Sequence, residues 1–261
     1  MANKSATILS MQVTAIQTPL VKTGDDFFEV LSESLIDVPE ESVLVITSKI
    51  ISVCEGRVIP KSTNTDKHQL ARQEAEYYLE PHNSRYNLML TINNNQLFVN
   101  AGIDESNVDN SYVLWPTNLQ EWANEIWLFL REEYDRQRVG VIISDSKTSP
   151  LHWGVTGASL AHAGFVALNS KIGKPDLYGQ EMKMTQVNVA QALAVAGVLE
   201  MGEANEQTPL ALIQNVREIV YQDRVPTSAE LESLKIALED DLYAPLLTAV
   251  DWQVGGGHKR S

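Results

Sequence analysis

The stretch VGVIISDS, residues 139–146, is an apolar run rich in β-branched side chains that stops at a carboxylate, Asp145. Runs of this length and composition, bounded by polar residues, are typical of buried strands. We therefore predict a buried strand here, with Asp145 at its end. A helical pattern precedes this strand and a segment rich in small residues follows it, which favours a mixed architecture.

Strand and helix patterns alternate along the rest of the chain. Short apolar or alternating runs predict strands at residues 7–16, 42–48, 88–92 and 96–99, and residues 49–54 fit either a strand or a helix. Apolar residues at helical spacing predict helices at residues 27–36, 67–79, 118–136, 185–200 and 230–238. This order predicts an α+β (mixed α/β) fold.

We expect one domain over residues 8–252, with a division into two subdomains left open. The glycine-rich residues 253–261 are predicted to form a disordered tail.

Composition and charge restrict the classes of partner. The chain has 261 residues with 34 acidic against 20 basic side chains, a formal charge of −14. Non-specific nucleic-acid binding needs a basic surface, so we expect no nucleic-acid partner. The single cysteine, Cys54, excludes an intrachain disulfide and a multi-cysteine metal site. No apolar run approaches the ~20 residues that cross a bilayer and no signal peptide is evident, so we expect a cytoplasmic enzyme without a membrane partner.

A second carboxylate follows another predicted strand. Asp104 lies in NAGIDESN, residues 100–107, shortly after the strand at residues 96–99. Carboxylates at strand ends are hard oxygen ligands for Mg²⁺ or Mn²⁺, and Mg²⁺ commonly takes one or two of them. The alternative is that Asp104 and Asp145 only begin turns, which aspartate also favours.

Common nucleotide and hydrolase signatures are absent from the sequence. The chain has no P-loop, no G-x-G-x-x-G after a strand and no G-x-S-x-G elbow. These absences argue against a P-loop protein, a Rossmann dinucleotide site and a serine hydrolase.

Four segments together resemble the coenzyme F-420 gamma-glutamyl ligase family. They are residues 47–57 (TSKIISVCEGR), 101–107 (AGIDESN), 143–146 (ISDS) and 201–209 (MGEANEQTP). Members of that family add L-glutamate to coenzyme F-420-0 with GTP. The resemblance covers roughly residues 8–215 and implies an F-420 gamma-glutamyl ligase-like fold of two intertwined subdomains, assembled as a homodimer.

The resemblance also implies roles for individual residues. It implies catalytic roles for Asp104, Asp145 and Lys49, and metal ligation by Asp104, Asp145 and Ser146. The implied cofactor is Mg²⁺ or Mn²⁺, with K⁺ as a further candidate, and GTP is the implied co-substrate. The implied nucleotide-binding residues are Thr18, Pro19, Leu20, Val21, Ser48, Lys49, Asn107, Met201, Gly202, Glu203, Ala204, Asn205, Glu206, Gln207 and Thr208.

Two departures from the family pattern affect the expected acceptor. Val53 stands where the family usually has a basic residue, and residues 147–153 (KTSPLHW) replace the usual FGRPWR stretch. Lys147 could restore one positive charge near the phosphates, although a lysine is a flexible point charge rather than a bidentate fork.

The predicted function is therefore a GTP- and metal-dependent ligase that adds L-glutamate to a cofactor carboxylate through an acyl phosphate. The partners are small molecules: GTP, L-glutamate and a carboxylate acceptor, F-420-0 by resemblance. One alternative is the same chemistry on a folate or pterin acceptor. The other is a nucleotide-binding protein without ligase activity.

Overall fold

The structure is a computed structural model that describes residues 10–259, without the side chains of residues 258 and 259. Its helices are α1 Phe27–Ser34, α2 Ser48–Glu55, α3 Lys67–Glu74, α4 Leu119–Glu133, α5 Val189–Met201, α6 Ser228–Glu232 and α7 Ala244–Leu247. Its strands are β1 Gln12–Ile16, β2 Ser42–Thr47, β3 Val58–Pro60, β4 Tyr77–Tyr78, β5 Leu90–Asn93, β6 Gln96–Val99, β7 Ser111–Val113, β8 Val139–Thr148, β9 Val155–Ala163, β10 Leu168–Ser170, β11 Gln186–Asn188, β12 Leu210–Gln214 and β13 Gln253–Val254. Short 3₁₀ turns occupy Pro81–Asn83, Asn100–Gly102 and Gly256–Lys259.

The central sheet brings several chain segments to one edge. Its order is β1-β12-β2-β8-β9. Strands β2 and β8 pair in parallel, and β12 lies antiparallel between β1 and β2. The carboxyl ends of β1, β2 and β8 therefore meet at the same edge as the amino end of β12. Ligands of open α/β sheets bind outside the carboxyl ends of strands, so this edge is where a site is expected.

Successive side chains of the sheet enter two separate cores because neighbouring residues of a strand point to opposite faces. Leu44 and Ile46 of β2 pack with α1, α2 and α4 on one face, whereas Val43 and Val45 pack with α5 on the other. The mixed α+β class predicted from the sequence is thus confirmed, while the division into subdomains stays a prediction.

A smaller unit lies beside the central sheet. Strands β13-β4-β5-β6 form one sheet, and β3 pairs with β7. The side chains of Phe98 and Trp115 from this unit pack with Ala158 and Leu160 of β9. This contact holds the smaller unit, including the segment that carries Asp104, against the central sheet.

Several sequence predictions differ from the structure. The helix predicted at residues 230–238 ends at Glu232, and residues 186–188 of the helix predicted at 185–200 form β11 instead. Asp145 does not end its strand, because β8 continues to Thr148 through pairing with β9. The parallel pairing of β8 with β2, however, ends at Ser144, one residue before Asp145. The carboxylate therefore still lies at the carboxyl end of the parallel pair.

Helix α3 ends at Glu74, short of the predicted residue 79. Tyr77 and Tyr78 instead form β4, between β5 and β13. Tyrosine favours strands, and here pairing on both sides outweighs the helical pattern.

The predicted disordered tail is wrong for residues 253–259, which form β13 and a 3₁₀ turn; residues 260–261 lie outside the described part. The Gly255 amide donates to the Glu76 carbonyl at 2.8 Å, and the Gly257 amide donates to the Ala75 carbonyl at 2.9 Å. A Cβ at either glycine would overlap the Ala75 carbonyl. These glycines allow the two backbones to approach closely. The prediction of a tail is wrong because a glycine-rich segment has the same composition whether it packs in this way or is flexible.

Within residues 10–259, every helix is too short or too polar to traverse a bilayer.

Candidate functional site

A cleft of about 550 Å³ opens at the edge where β1, β2 and β8 end and β12 begins. Every residue predicted to hold nucleotide or metal lines it, with the exception of Ser48. The predicted residues that line it are Thr18, Pro19, Leu20, Val21, Lys49, Asp104, Asn107, Asp145, Ser146, Met201, Gly202, Glu203, Ala204, Asn205, Glu206, Gln207 and Thr208. The fold thus gathers segments separated by more than a hundred residues of sequence into one cavity.

Ser48 is the first residue of α2, and its residue surface is 3% exposed. Its carbonyl accepts a hydrogen bond from the Ser52 hydroxyl at 2.9 Å. Its role as a nucleotide ligand stays a prediction.

Asp104 is positioned by an unusual backbone turn. Asn100, Ala101 and Gly102 all adopt positive φ, at 50°, 55° and 77°. Left-handed backbone is disfavoured for a residue with a Cβ, so the surrounding contacts must maintain it. The Asn100 side-chain oxygen accepts from the Met89 amide at 3.0 Å, and the Ala101 amide donates to the Thr91 hydroxyl at 2.9 Å.

After this turn, the backbone of Asp104 exchanges hydrogen bonds with Val113 at 2.9 and 3.0 Å. Its carboxylate forms an ion pair with Lys49 from the first turn of α2. The Ser106 hydroxyl donates to the same carboxylate at 3.0 Å and also contacts the Lys49 ammonium at 3.0 Å. Burial alone would raise the pKa of Asp104, but the Lys49 charge and the hydrogen bonds of Ser106 lower it below its ordinary value. Asp104 is therefore ionised at neutral pH.

Asp145 is held by two hydrogen-bond donors. The Trp115 indole N–H donates to Oδ2 at 2.6 Å, and the Ser146 amide donates to Oδ1 at 2.8 Å. Burial raises the pKa of this carboxyl to about 7 despite these donors, and the nearby negative charge of Asp104 acts in the same direction. The positive charge around Asp145 is therefore too small to offset the loss of solvent from its carboxylate.

Trp115 is a site residue that sequence reasoning missed. Its indole lies against Gly102, where a Cβ would overlap the ring, and the positive φ of Gly102 also favours glycine. One tryptophan therefore contacts the turn that leads to Asp104 and donates to Asp145. Its partners are 13 and 30 residues away in sequence, so no local spacing could have shown the contact.

The donor set fits a hard divalent cation. Among residues 10–259, no three His, Cys, Asp or Glu side chains converge on one point, but Mg²⁺ usually needs only one or two protein carboxylates. Asp104, Asp145 and the Ser146 hydroxyl supply oxygen ligands in one cleft. A cation would also supply the positive charge that Asp145 lacks. The Trp115 N–H donates to that carboxylate and orients it, as a hydrogen-bond donor behind a metal ligand does.

Hydrogen bonds join three of the segments predicted to bind nucleotide. The Asn107 side-chain amide donates to the Ala204 carbonyl at 2.6 Å, and the Gln207 side-chain amide donates to the Thr18 carbonyl at 2.7 Å. The loop at residues 201–208 is therefore fixed against both the turn after β1 and the segment after Asp104.

Comparison with known proteins identifies the family. The family model described as "F420-0:Gamma-glutamyl ligase" matches residues 15–215. The chain belongs to this family. Its members form amide bonds, and the chain is accordingly an enzyme of the ligase class.

Curated relatives agree with this assignment. A protein of Methanocaldococcus jannaschii named "Coenzyme F420:L-glutamate ligase" is 31% identical over 225 residues, 78% of this chain and 87% of its own length. Proteins with the same name from Methanopyrus kandleri and Methanococcus maripaludis strain C7 are 31% and 30% identical. These alignments cover 80% and 79% of this chain, and 88% and 89% of the respective relatives.

The departures of this ligase from the family pattern lie in two different places. Val53, Lys147 and Thr148 line the cleft. In contrast, Leu151 and Trp153 are 101% and 94% exposed on the connection between β8 and β9. The altered stretch therefore changes the cleft wall at Lys147 and Thr148, whereas Leu151 and Trp153 face solvent.

Proposed function

We propose that this chain uses GTP and a divalent cation to join the amine of L-glutamate to a carboxylate of coenzyme F-420-0. The observation that carries the proposal is the meeting of Asp104 and Asp145 with the predicted nucleotide segments in one cleft. The family match and the names of the relatives support the ligation of glutamate to this acceptor. The choice of GTP, the cation and the intermediate rest on the chemistry of the cleft and on the resemblance.

The proposed reaction has two steps. An oxygen of the acceptor carboxylate attacks the γ-phosphorus of GTP, and GDP leaves to give an acyl phosphate. The neutral amine of L-glutamate then attacks the acyl carbon, and phosphate leaves with the electrons of the C–O bond while the nitrogen loses a proton. Activation is needed because a carboxylate and an amine do not form an amide in water at a useful rate.

The protein's contribution is charge placement and positioning. Mg²⁺ or Mn²⁺, with K⁺ as a further candidate, would neutralise charge on the transferring phosphoryl group. Asp104 and Asp145 would hold the cation, and Asp145 must release its proton to do so. Lys49 supplies positive charge beside Asp104, where it can bind a phosphate or carboxylate oxygen. The loop at residues 201–208, fixed by Asn107 and Gln207, would hold the nucleotide.

The test is product formation with single omissions. The chain is incubated with F-420-0, L-glutamate, GTP and Mg²⁺, and the product is detected by mass spectrometry. We expect a mass gain of one glutamyl residue, with stoichiometric GDP, only in the complete mixture. A folate acceptor is run in parallel, because Val53 and Lys147 alter the cleft wall. Product from folate alone would reassign the acceptor, and GTP binding without product from either acceptor would refute ligase activity.

We further propose a homodimer. The segment between β10 and β11 carries four large exposed apolar side chains: Ile172, Leu177, Tyr178 and Met184 are 50%, 99%, 88% and 73% exposed. Large exposed apolar areas mark interaction surfaces. Light scattering should give about twice 29.0 kDa, and Leu177→Asp combined with Tyr178→Asp should shift the mass toward the monomer. A monomeric parent protein at micromolar concentration would contradict the proposal.

A further inference from the structure

Lys147 is a cationic side chain of the cleft that lacks an acidic partner. In the described part of the chain, the charged side chains lining the cleft are Asp104, Asp145, Glu203 and Glu206 with Lys49 and Lys147. Lys49 is paired with Asp104. Lys147 forms no ion pair with any described residue, and its ammonium donates instead to the neutral side-chain oxygen of Gln96 at 2.8 Å. A charge kept in a partly buried cleft without a counter-charge is unfavourable unless an anion completes it.

The position of Lys147 is fixed by a chain of side-chain amides. The Gln96 oxygen accepts from both Lys147 and the Gln191 amide, at 2.8 and 2.9 Å, while the Gln96 amide donates to the Ser159 carbonyl at 2.8 Å. The Gln191 oxygen in turn accepts from the Ser159 amide at 3.0 Å. These bonds fix which end of the Gln96 amide faces Lys147. The ammonium also lies 5.8 Å from the centre of the Phe98 ring, which limits its movement and its hydration.

Lys147 points to the same side of β8 as Asp145. Both belong to one strand, with the register Asp145 to Ala158 and Lys147 to Thr156 on β9. Residues two apart on a strand share a face and are separated by roughly 7 Å. An anion bound at Lys147 would therefore lie about two residues' length, roughly 7 Å, along β8 from the carboxylate proposed to hold the cation. That is too far for the same oxygen to contact both, and it suits a second anionic group of a bound substrate.

We infer that Lys147, positioned by Gln96 and Gln191, binds an anionic group of L-glutamate or of the acceptor other than the carboxylate that is converted to the acyl phosphate. The inference rests on the proposed function for the identity of these substrates. Lys147 is chosen because its ammonium has no acidic partner, because Gln96 and Gln191 hold it in place, and because it lies on the same face of β8 as Asp145. The role is specificity: Lys147 recognises an anionic group that does not react and takes no part in bond formation.

The experiment compares Lys147→Met with the parent enzyme in steady-state kinetics and in calorimetry. Loss of a charge-assisted hydrogen bond to a carboxylate should raise the KM for one substrate about ten- to a hundredfold. The KM for GTP and kcat at saturating substrates should change by less than about twofold. An increase confined to L-glutamate assigns the contact to a carboxylate of the amino acid, and an increase confined to the acceptor assigns it to an anionic group of the acceptor. Lys147→Arg should recover most of the affinity.

Gln96→Glu provides an independent variant that keeps Lys147. A carboxylate placed at the Gln96 oxygen would pair with the ammonium inside the protein and compete with the substrate, so the same KM should rise. Lys235→Met is the matched control, because it removes one ammonium outside the cleft, where Lys235 pairs with Glu232. Melting temperatures of all variants verify that they fold.

Calorimetry separates failure of this inference from failure of the proposed function. Binding of L-glutamate and of F-420-0 is measured on enzyme loaded with Mg²⁺ and a non-hydrolysable GTP analogue, so no turnover is needed. Weaker binding of one carboxylate substrate to Lys147→Met supports the inference even if product formation fails. Unchanged binding of both, or an effect on the GTP analogue alone, would overturn it. A parent enzyme that binds neither carboxylate substrate would also overturn it.

Discussion

Asp104→Asn and Asp145→Asn should each lower the rate of product formation by about a thousandfold or more. Cation stabilisation of a transferring phosphoryl group contributes several kcal/mol, and each 1.36 kcal/mol corresponds to a factor of ten. The protein without ligands should remain folded in both cases. The Lys49–Asp104 pair is partly exposed, and such pairs contribute only about 0–1 kcal/mol. Asparagine at position 145 has the shape of the carboxyl group and still accepts one of its two hydrogen bonds.

The same substitutions should remove the stabilisation that Mg²⁺ and GTP give together. Ligand at about 100 times its dissociation constant adds about 2.7 kcal/mol to the free energy of unfolding. The control is Asp109→Asn, an exposed aspartate in the same segment that does not line the cleft. Variants at Asp104 and Asp145 that are stabilised as much as the control would contradict a shared cation site.

Asp145 should reduce the stability of the ligand-free protein as the pH rises. Burial raises the pKa of its carboxyl to about 7 in the folded chain, from the ordinary value of 3.8. The folded state therefore binds this proton more tightly than the unfolded state. The stabilising contribution is complete below about pH 4 and is lost as the pH rises through about 7.

Asparagine does not titrate, so only the parent loses this contribution as the pH rises. The difference in the free energy of unfolding, Asp145→Asn minus parent, should therefore increase with pH. We expect an increase of about 1–4 kcal/mol between pH 4 and pH 8. Asparagine also leaves one of the two donors, Trp115 or Ser146, unpaired, but this offset is the same at each pH. Denaturant unfolding at a series of pH values measures the difference. A difference that is flat with pH would show that the folded protein does not hold Asp145 as a desolvated carboxyl.

The sequence indicated which residues line the cleft, but not which other residues support them. Asp104 and Asp145 are recognisable as candidate cation ligands because a carboxylate at the end of an apolar strand has two common roles, binding a cation or beginning a turn. The turn at residues 18–21 and the loop at 201–208 came from the resemblance, and the topology of β1, β2, β8 and β12 explains why they meet. Trp115 and Gln96 were not predicted, since each acts through one tertiary hydrogen bond to a residue 30 or 51 positions away.

The errors in the fold have a common cause. Residues 75–79 and 253–259 were assigned from local pattern, as helix and as disordered tail. Their conformation is decided by pairing between them: β13 aligns Val254 with Tyr77, and the glycines that follow contact Ala75. Local propensity is weak compared with such long-range pairing. The continuation of β8 past Asp145 has the same origin, because only pairing with β9 extends it.

We propose that Asp104 and Asp145 form one divalent-cation site that acts with the nucleotide. The most direct measurement is a calorimetric titration of Mn²⁺ into the parent, Asp104→Asn, Asp145→Asn and Asp109→Asn proteins, each with and without GTP. We expect GTP to strengthen Mn²⁺ binding to the parent and to Asp109→Asn, and we expect this binding to be lost in both cleft variants. Mn²⁺ binding of equal strength in all four proteins, or binding that GTP does not change, would contradict it.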